Sequence, residues 1–247
     1  MLSKLNFKAA YGGYVKKILN SNKPLKEAMG EAIGGEFKAF GIIEREMLKY
    51  YGLSDNSYLI DVGCGSGRLA IPAAEMRNLR YLGTDIVPAL VNFARQNANR
   101  PDWSFKVVEN LRIPEADGQA DFVCFFSVFT HLLHEQSYIY LEESKRVLKP
   151  GGKIVLSFLE FHSPSHWPIF AKTIQDAKES NGHPLNVFIE RNALSAWANQ
   201  LGLEVLEIRD GHDAFVPLPE PVTLDGGGKM ENFGLLGQSI CVLGKPT

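Results

Sequence analysis

Residues 59–68 read Leu-Ile-Asp-Val-Gly-Cys-Gly-Ser-Gly-Arg. The run is apolar around Asp61 and then drops its side chains at Gly63, Gly65 and Gly67. Tyr58–Gly63 reads as a buried strand ending in glycines, and Arg68–Arg77 as a helical pattern with Pro72 confined to the first turn. Glycines between a strand and a helix let backbone N–H groups approach a ligand with no side chain intervening. A second acid, Asp85, closes the next strand, Leu79–Asp85. A carboxylate at that strand tip is where a ribose diol is gripped. The spacing is G-x-G-x-G, and Arg68 stands where a dinucleotide fingerprint needs its third glycine. Asp61 would repel a pyrophosphate and suits a ligand carrying an ammonium group.

Outward from this turn, short apolar runs alternate with helical patterns. Pro88 opens a helix to Ala98, because its missing N–H costs nothing in a first turn. Trp103–Glu109 is a third strand, and Ala120–Ser127 a fourth that is apolar on both faces, as a covered central parallel strand must be. Glu135–Leu148 reads as a helix stopped by Lys149-Pro150-Gly151-Gly152, followed by strand Lys153–Glu160. A helix over Glu190–Gln200 closes at Gly202, and Leu203–Arg209 and Gln238–Gly244 are the last two strands. Such alternation implies βαβ units and a parallel sheet.

Residues 1–56 look helical, best over Glu36–Tyr51, and are expected to cap the sheet of a single 1–247 domain. Segments 161–189 and 210–237, rich in Pro, Gly, His and Asn, read as irregular substrate-side insertions. Their aromatics, Phe161, Trp167, Phe170, Phe188 and Phe215, are candidates to wall an apolar pocket.

Composition narrows the class. With 247 residues, 45% hydrophobic and 22% charged, the chain can bury a core unaided, which excludes disordered and disulfide-scaffold classes. A formal charge of -2 gives no global basic field, so DNA is not an expected partner. Lys4, Lys8, Lys16, Lys17, Lys23 and Lys26 form a local basic arm, read as a solvated amphipathic face before a tRNA or membrane contact. Cys64, Cys124 and Cys241 lack metal or redox spacing, and their odd number fits free thiols in a reducing cytoplasm. The first residues have no apolar signal core, and no run approaches a membrane span.

Asp61-Val-Gly-Cys-Gly-Ser-Gly67 resembles motif I of class I S-adenosylmethionine-dependent methyltransferases. Asp85-Ile86 resembles the family's ribose-binding acid and adenine-packing residue, and Glu109-Asn110-Leu111 stands where the family meets the adenine edge, without its usual Asp. Asp121–His131, including Ser127, resembles the fourth strand and its loop; Leu148–Gly152 resembles the turn before strand five; Gln238–Lys245 resembles the closing antiparallel strand. The resemblance implies an α/β, Rossmann-like, seven-stranded mostly parallel sheet of order 3-2-1-4-5-7-6, last strand antiparallel, with helices on both faces. It also implies S-adenosylmethionine as cofactor, held by Asp61, Gly63, Cys64, Gly65, Gly67, Asp85, Ile86, Glu109, Asn110, Leu111 and Ser127.

Methyl transfer from a sulfonium mainly needs two reactants positioned and water excluded, with a base where the acceptor must lose a proton. His131 and His162, at two neighbouring strand ends, are the base candidates; Phe126 and Phe129 could face the cationic sulfur. A metal held by His162 and His166 with His131 or Glu160 is disfavoured by Pro164, so no metal is expected. The signature of base- or glutamine-amino methylation and the Pro-Cys dipeptide of cytosine-C5 methylation are absent, which favours a small-molecule acceptor methylated at O before N. An aminopropyltransferase-like enzyme and a non-catalytic adenosylmethionine-binding module stay open, as does a homodimer.

Overall fold

The structure, a computed structural model, describes residues 7–179 and 186–247, with side chains from Tyr11 onward. Lys4 and the side chain of Lys8 lie outside the described residues, as does 180–185 within the expected 161–189 insertion.

Seven strands form the main sheet: β1 Tyr58–Val62, β2 Arg80–Asp85, β3 Ser104–Val107, β4 Ala120–Phe125, β5 Leu148–Phe158, β6 Glu204–Arg209 and β7 Ser239–Gly244. Their order is 3-2-1-4-5-7-6, as the resemblance implies. β1, β2, β3, β4 and β5 run parallel, and β7 runs antiparallel between β5 and β6.

Period-two alternation sorts the side chains onto two faces. Leu59, Tyr81, Phe122, Cys124, Val155 and Val242 point to one face, where Ile43 and Met47 of α3 (Phe37–Tyr50), α4 (Ala70–Ala73) and Val91 and Ala94 of α5 (Pro88–Ala98) cover them. Ile60, Leu82, Val123, Phe125, Ile154 and Cys241 point to the other, under α6 (His134–Val147) and α8 (Arg191–Leu201). Ala39, Ile43 and Met47 recur every fourth residue and are buried, which is why α3 lays that stripe on the sheet. The cap begins with α1 (Phe7–Leu19) and α2 (Leu25–Glu31), whose Val15, Ile18, Ala28 and Met29 pack against Val87 and Leu90.

Several boundaries differ from expectation. The Arg68–Arg77 helix contracts to Ala70–Ala73: beyond Pro72 the N–H groups of Glu75 and Met76 bond three residues back, a tightened 3₁₀-type ending. The Lys149–Gly152 stop is itself the start of β5, because Leu148 already pairs with Ala120 across an irregular register. Segment 161–189 is not all loop: a 3₁₀ turn at Pro164–His166 leads into α7, Trp167–Glu179. Segment 210–237 holds two short antiparallel ribbons, Val216–Pro217 with Phe233–Gly234 and Val222–Thr223 with Lys229–Met230.

Candidate functional site

At the carboxyl end of β1 the chain turns through Gly63, Gly65 and Gly67 at φ of +77°, +54° and +89°. The N–H groups of Gly63 and Cys64 both donate to Thr84 O, at 2.7 and 2.9 Å, and tie the hairpin to β2. A Cβ at Gly63 would lie 2.3 Å from Val128 Cγ2, and one at Gly65 would lie 2.9 Å from Ile33 Cγ2. Both positions are thus closed to other residues by conformation and by space. Gly67 differs, since a Cβ there would meet Ala94 Cα at 3.0 Å. It brings α5 close to the hairpin and does not line the cavity described below.

Asp85 is buried at the tip of β2. Its Oδ2 accepts from Gly65 N at 3.0 Å and its Oδ1 from Val87 N at 2.9 Å, so one carboxylate fixes both the hairpin and the start of α5. Burial pushes its carboxyl up to about 6, against the pull of those backbone donors.

Asp61 lies on the sheet face shared with Tyr81 and Cys124, its register partner on β4. Its Oδ2 accepts from the Tyr81 hydroxyl at 2.5 Å, and the Cys124 thiol approaches Oδ1 at 3.6 Å. Burial pushes Asp61 up to about 7; Tyr81, Cys124 and Arg68 draw it down and Glu44 raises it. Tyr81 is held by Trp103, stacked at 4.5 Å and 22°. Beside them Arg68 pairs with buried Glu44 at 2.7 Å and reaches Ile33 O at 3.3 Å. The acids therefore enter the site partnered.

A cavity of about 880 Å³ opens over these groups. Asp61, Gly63, Cys64, Gly65, Asp85, Ile86, Glu109, Asn110, Leu111 and Ser127 all line it; of the expected cofactor residues Gly67 alone does not. Phe126 lines it too, whereas Phe129 is fully buried against Phe125 at 5.0 Å. Tyr11, Tyr14 and Ile33 of the cap and Phe40 of α3 close one side. Ser127, Ser157 and Gln238, also in the cavity lining, share hydrogen bonds. Glycines that a Cβ would block, two acids of the right sign and this volume fit S-adenosylmethionine: the hairpin for its amino-acid part, Asp85 for its ribose.

The histidines separate. His131 lines the cavity, its ring near that of Tyr11 at 6.4 Å. His162 is exposed and outside it. His166, weighed as a metal ligand, is fully buried: its Nδ1 accepts from Glu160 N at 3.0 Å and its Nε2 lies 3.2 Å from Gly237 O. Glu160 is occupied by Arg191 and Ser239. These engagements explain why the residues weighed for a metal do not converge. Asp121 accepts from Tyr58 N at 2.7 Å and pairs with Lys149, a structural role.

The aromatics expected to wall the pocket do not. Phe161, Trp167, Phe170 and Phe188 pack on one another outside it, and Phe215 packs on Tyr50 and Tyr51. Sequence reasoning passed over Tyr81, Glu44 and Gln238. Tyr81 reads as a core aromatic of a strand, and nothing local ties Glu44 to Arg68 or Gln238 to Ser157.

Residues 60–156 match the family described as Methyltransferase domain. Demethylmenaquinone methyltransferase of Deinococcus radiodurans is 36% identical over 111 residues, 43% of this chain and 44% of that protein. Ubiquinone biosynthesis O-methyltransferase of Coxiella burnetii is 24% identical over 185 residues, 72% of this chain and 78% of that protein. The chain spans only 32% and 44% of the length of two curated relatives. Among solved structures, magnesium protoporphyrin IX methyltransferase from Synechocystis with bound SAH superposes with a TM-score of 0.59 at 14% identity, covering 97% of this chain and 96% of that one.

The matched methyltransferase domain, the relatives and the fold together indicate a class I S-adenosylmethionine-dependent methyltransferase.

Proposed function

We propose that this protein transfers the methyl group of S-adenosylmethionine to an oxygen or nitrogen nucleophile of a small molecule. The observation that carries this is a single cavity of about 880 Å³ whose lining joins the glycine hairpin and Asp85 to Phe40, Phe126, Leu236, His131 and Gln238, groups that the cofactor reading leaves over for an acceptor. Cap residues Tyr11, Tyr14, Ala32 and Ile33 line the same space, so an acceptor must fit beneath them, which favours a small one. The O-methyltransferase among the relatives supports the same reading.

The cofactor supplies an activated methyl; the protein's share is to align the partners and shed water. The Asp85 carboxylate fixes the nucleoside end. The partnered Asp61 carboxylate and the bare hairpin receive the ammonium end. His131 stands to take the acceptor proton at a ring nitrogen as the new bond forms. Three buried free thiols, Cys64, Cys124 and Cys241, support a reducing compartment, which we take to be the cytoplasm.

The test is release of S-adenosylhomocysteine across a panel of hydroxylated and amino-bearing small molecules. Turnover with at least one acceptor is expected, and His131→Ala should lower kcat about 10²–10⁴-fold while cofactor affinity holds. Turnover indifferent to His131 would remove it as base, and a protein that binds no cofactor would overturn the reading.

A further inference from the structure

The cavity lining carries a directional polar device. Ser127 follows β4 at φ +59°, and its backbone N–H donates to Ser157 Oγ at 2.7 Å. Ser157 Oγ donates in turn to Gln238 Oε1 at 2.7 Å, and Gln238 Nε2 donates to Ser127 Oγ at 3.1 Å. Reversing the Gln238 amide would strand the Ser157 hydroxyl proton at a site only 1% exposed, so the network fixes this orientation. Ser127 Oγ therefore accepts from Gln238, which leaves its own O–H to donate into the cavity it lines. The next residue, Val128, sits directly against Gly63, so this donor stands beside the glycine hairpin.

Charge narrows what the donor can meet. Glu44, Asp61, Asp85, Glu109 and Asp176 line the cavity, against a single guanidinium, Arg68. Arg68 is already held by Glu44 and Ile33 O, and no lysine lines the cavity among the described residues. With Glu44 paired to Arg68 and Asp176 to Lys172, Asp61 and Asp85 set the sign of the field, and a carboxylate or phosphate on the acceptor would meet no lining cation beyond the already paired Arg68.

Resting on the methyl-transfer reading, we infer that the acceptor is an uncharged molecule with a hydrogen-bond-accepting oxygen beside its methylated nucleophile, and that Ser127, held as a donor by Gln238 and Ser157, selects for that oxygen. Gln238 is a positioning residue. It sets which way the Ser127 proton points.

The test uses three probes of like size, titrated into the full chain loaded with S-adenosylhomocysteine: ortho-hydroxyacetophenone, ortho-ethylphenol and salicylate. The ketone should bind about tenfold tighter than the ethyl analogue, which leaves the Ser127 donor unpaired, and salicylate should bind weakest. Gln238→Leu should erase the preference for the ketone. Gln238→Glu keeps an acceptor for Ser157 but removes the donor to Ser127, whose proton then turns to the new carboxylate; it should erase the preference as well. A merely structural Gln238 would lower all three affinities alike. Salicylate binding as tightly as the ketone, a preference that survives Gln238→Glu, or no binding of the ketone to the cofactor-loaded protein would each overturn the inference. Failure of the wild type to bind the cofactor at all would instead count against methyl transfer itself.

Discussion

Cofactor affinity should depend on pH through Asp61, and Tyr81→Phe should move that dependence upward. In the unliganded site burial places the Asp61 carboxyl at about 7, with Tyr81 on Oδ2, Cys124 beside Oδ1, and Glu44 and Arg68 acting from α3 and from the end of the hairpin. The ligand's ammonium is met by the ionised form. Below pH 7 affinity should therefore fall toward tenfold per pH unit, about 1.4 kcal/mol each, and binding should release close to one proton near pH 6. The Tyr81 hydrogen bond favours the ionised form; a bond to a charged group contributes about 1.5–3 kcal/mol, so its loss should raise the midpoint by about 1–2 pH units. The assay is calorimetry with S-adenosylhomocysteine from pH 5.5 to 7.5, in two buffers of different ionisation heat to count protons. The upper limit stays below the ligand's own amine titration at about 8. Within this window the wild-type curve should bend toward pH 7 while Tyr81→Phe keeps falling tenfold per unit throughout; affinity flat across the window, or a variant curve that bends where the wild type does or lower, would refute the reasoning.

The same displaced carboxyl sets a stability trend. Asp61 binds its proton more tightly folded than unfolded, so its contribution is complete below about 3.8 and lost as pH rises to about 7. Asp61→Asn should accordingly gain on the wild type as pH climbs from 4 to 7, read by denaturant midpoints. Gly63→Ala places a methyl 2.3 Å from Val128 Cγ2 on a left-handed backbone, and should abolish cofactor binding while costing more than about 1 kcal/mol in urea unfolding. Gly67→Ala, wedged against Ala94, should lower Tm but retain measurable affinity, because it lies outside the cavity.

What could be read from the sequence was whatever is local in the chain. β1, the glycine hairpin and Asp85 announce themselves because strand, turn and carboxylate lie within one βαβ unit, and the alternation of Leu59, Ile60, Asp61 and Val62 already assigns each to a face. α7 was hidden because Pro168 and its polar residues read as loop, although Pro is well tolerated in a first helical turn. The role of His166 was not legible, because its ring nitrogens lie against backbone at Glu160 and Gly237, a closure that only the tertiary fold provides. The aromatics of 161–188 pack on one another and not on the cavity, because composition counts such side chains without saying where the fold carries them. Ser157 and Gln238 meet Ser127 because β5 lies between β4 and β7, a pairing across 111 residues.

The most direct measurement is calorimetric titration of S-adenosylmethionine into the wild type and Asp85→Ala. The substitution removes the acceptor that holds Gly65 N and Val87 N as well as the ribose partner, two charge-assisted bonds of about 1.5–3 kcal/mol each in the empty protein alone. The account predicts one site per chain in the wild type and affinity weakened at least about 100-fold in the variant. Equal affinity in the two proteins, or no binding to the wild type, would contradict it.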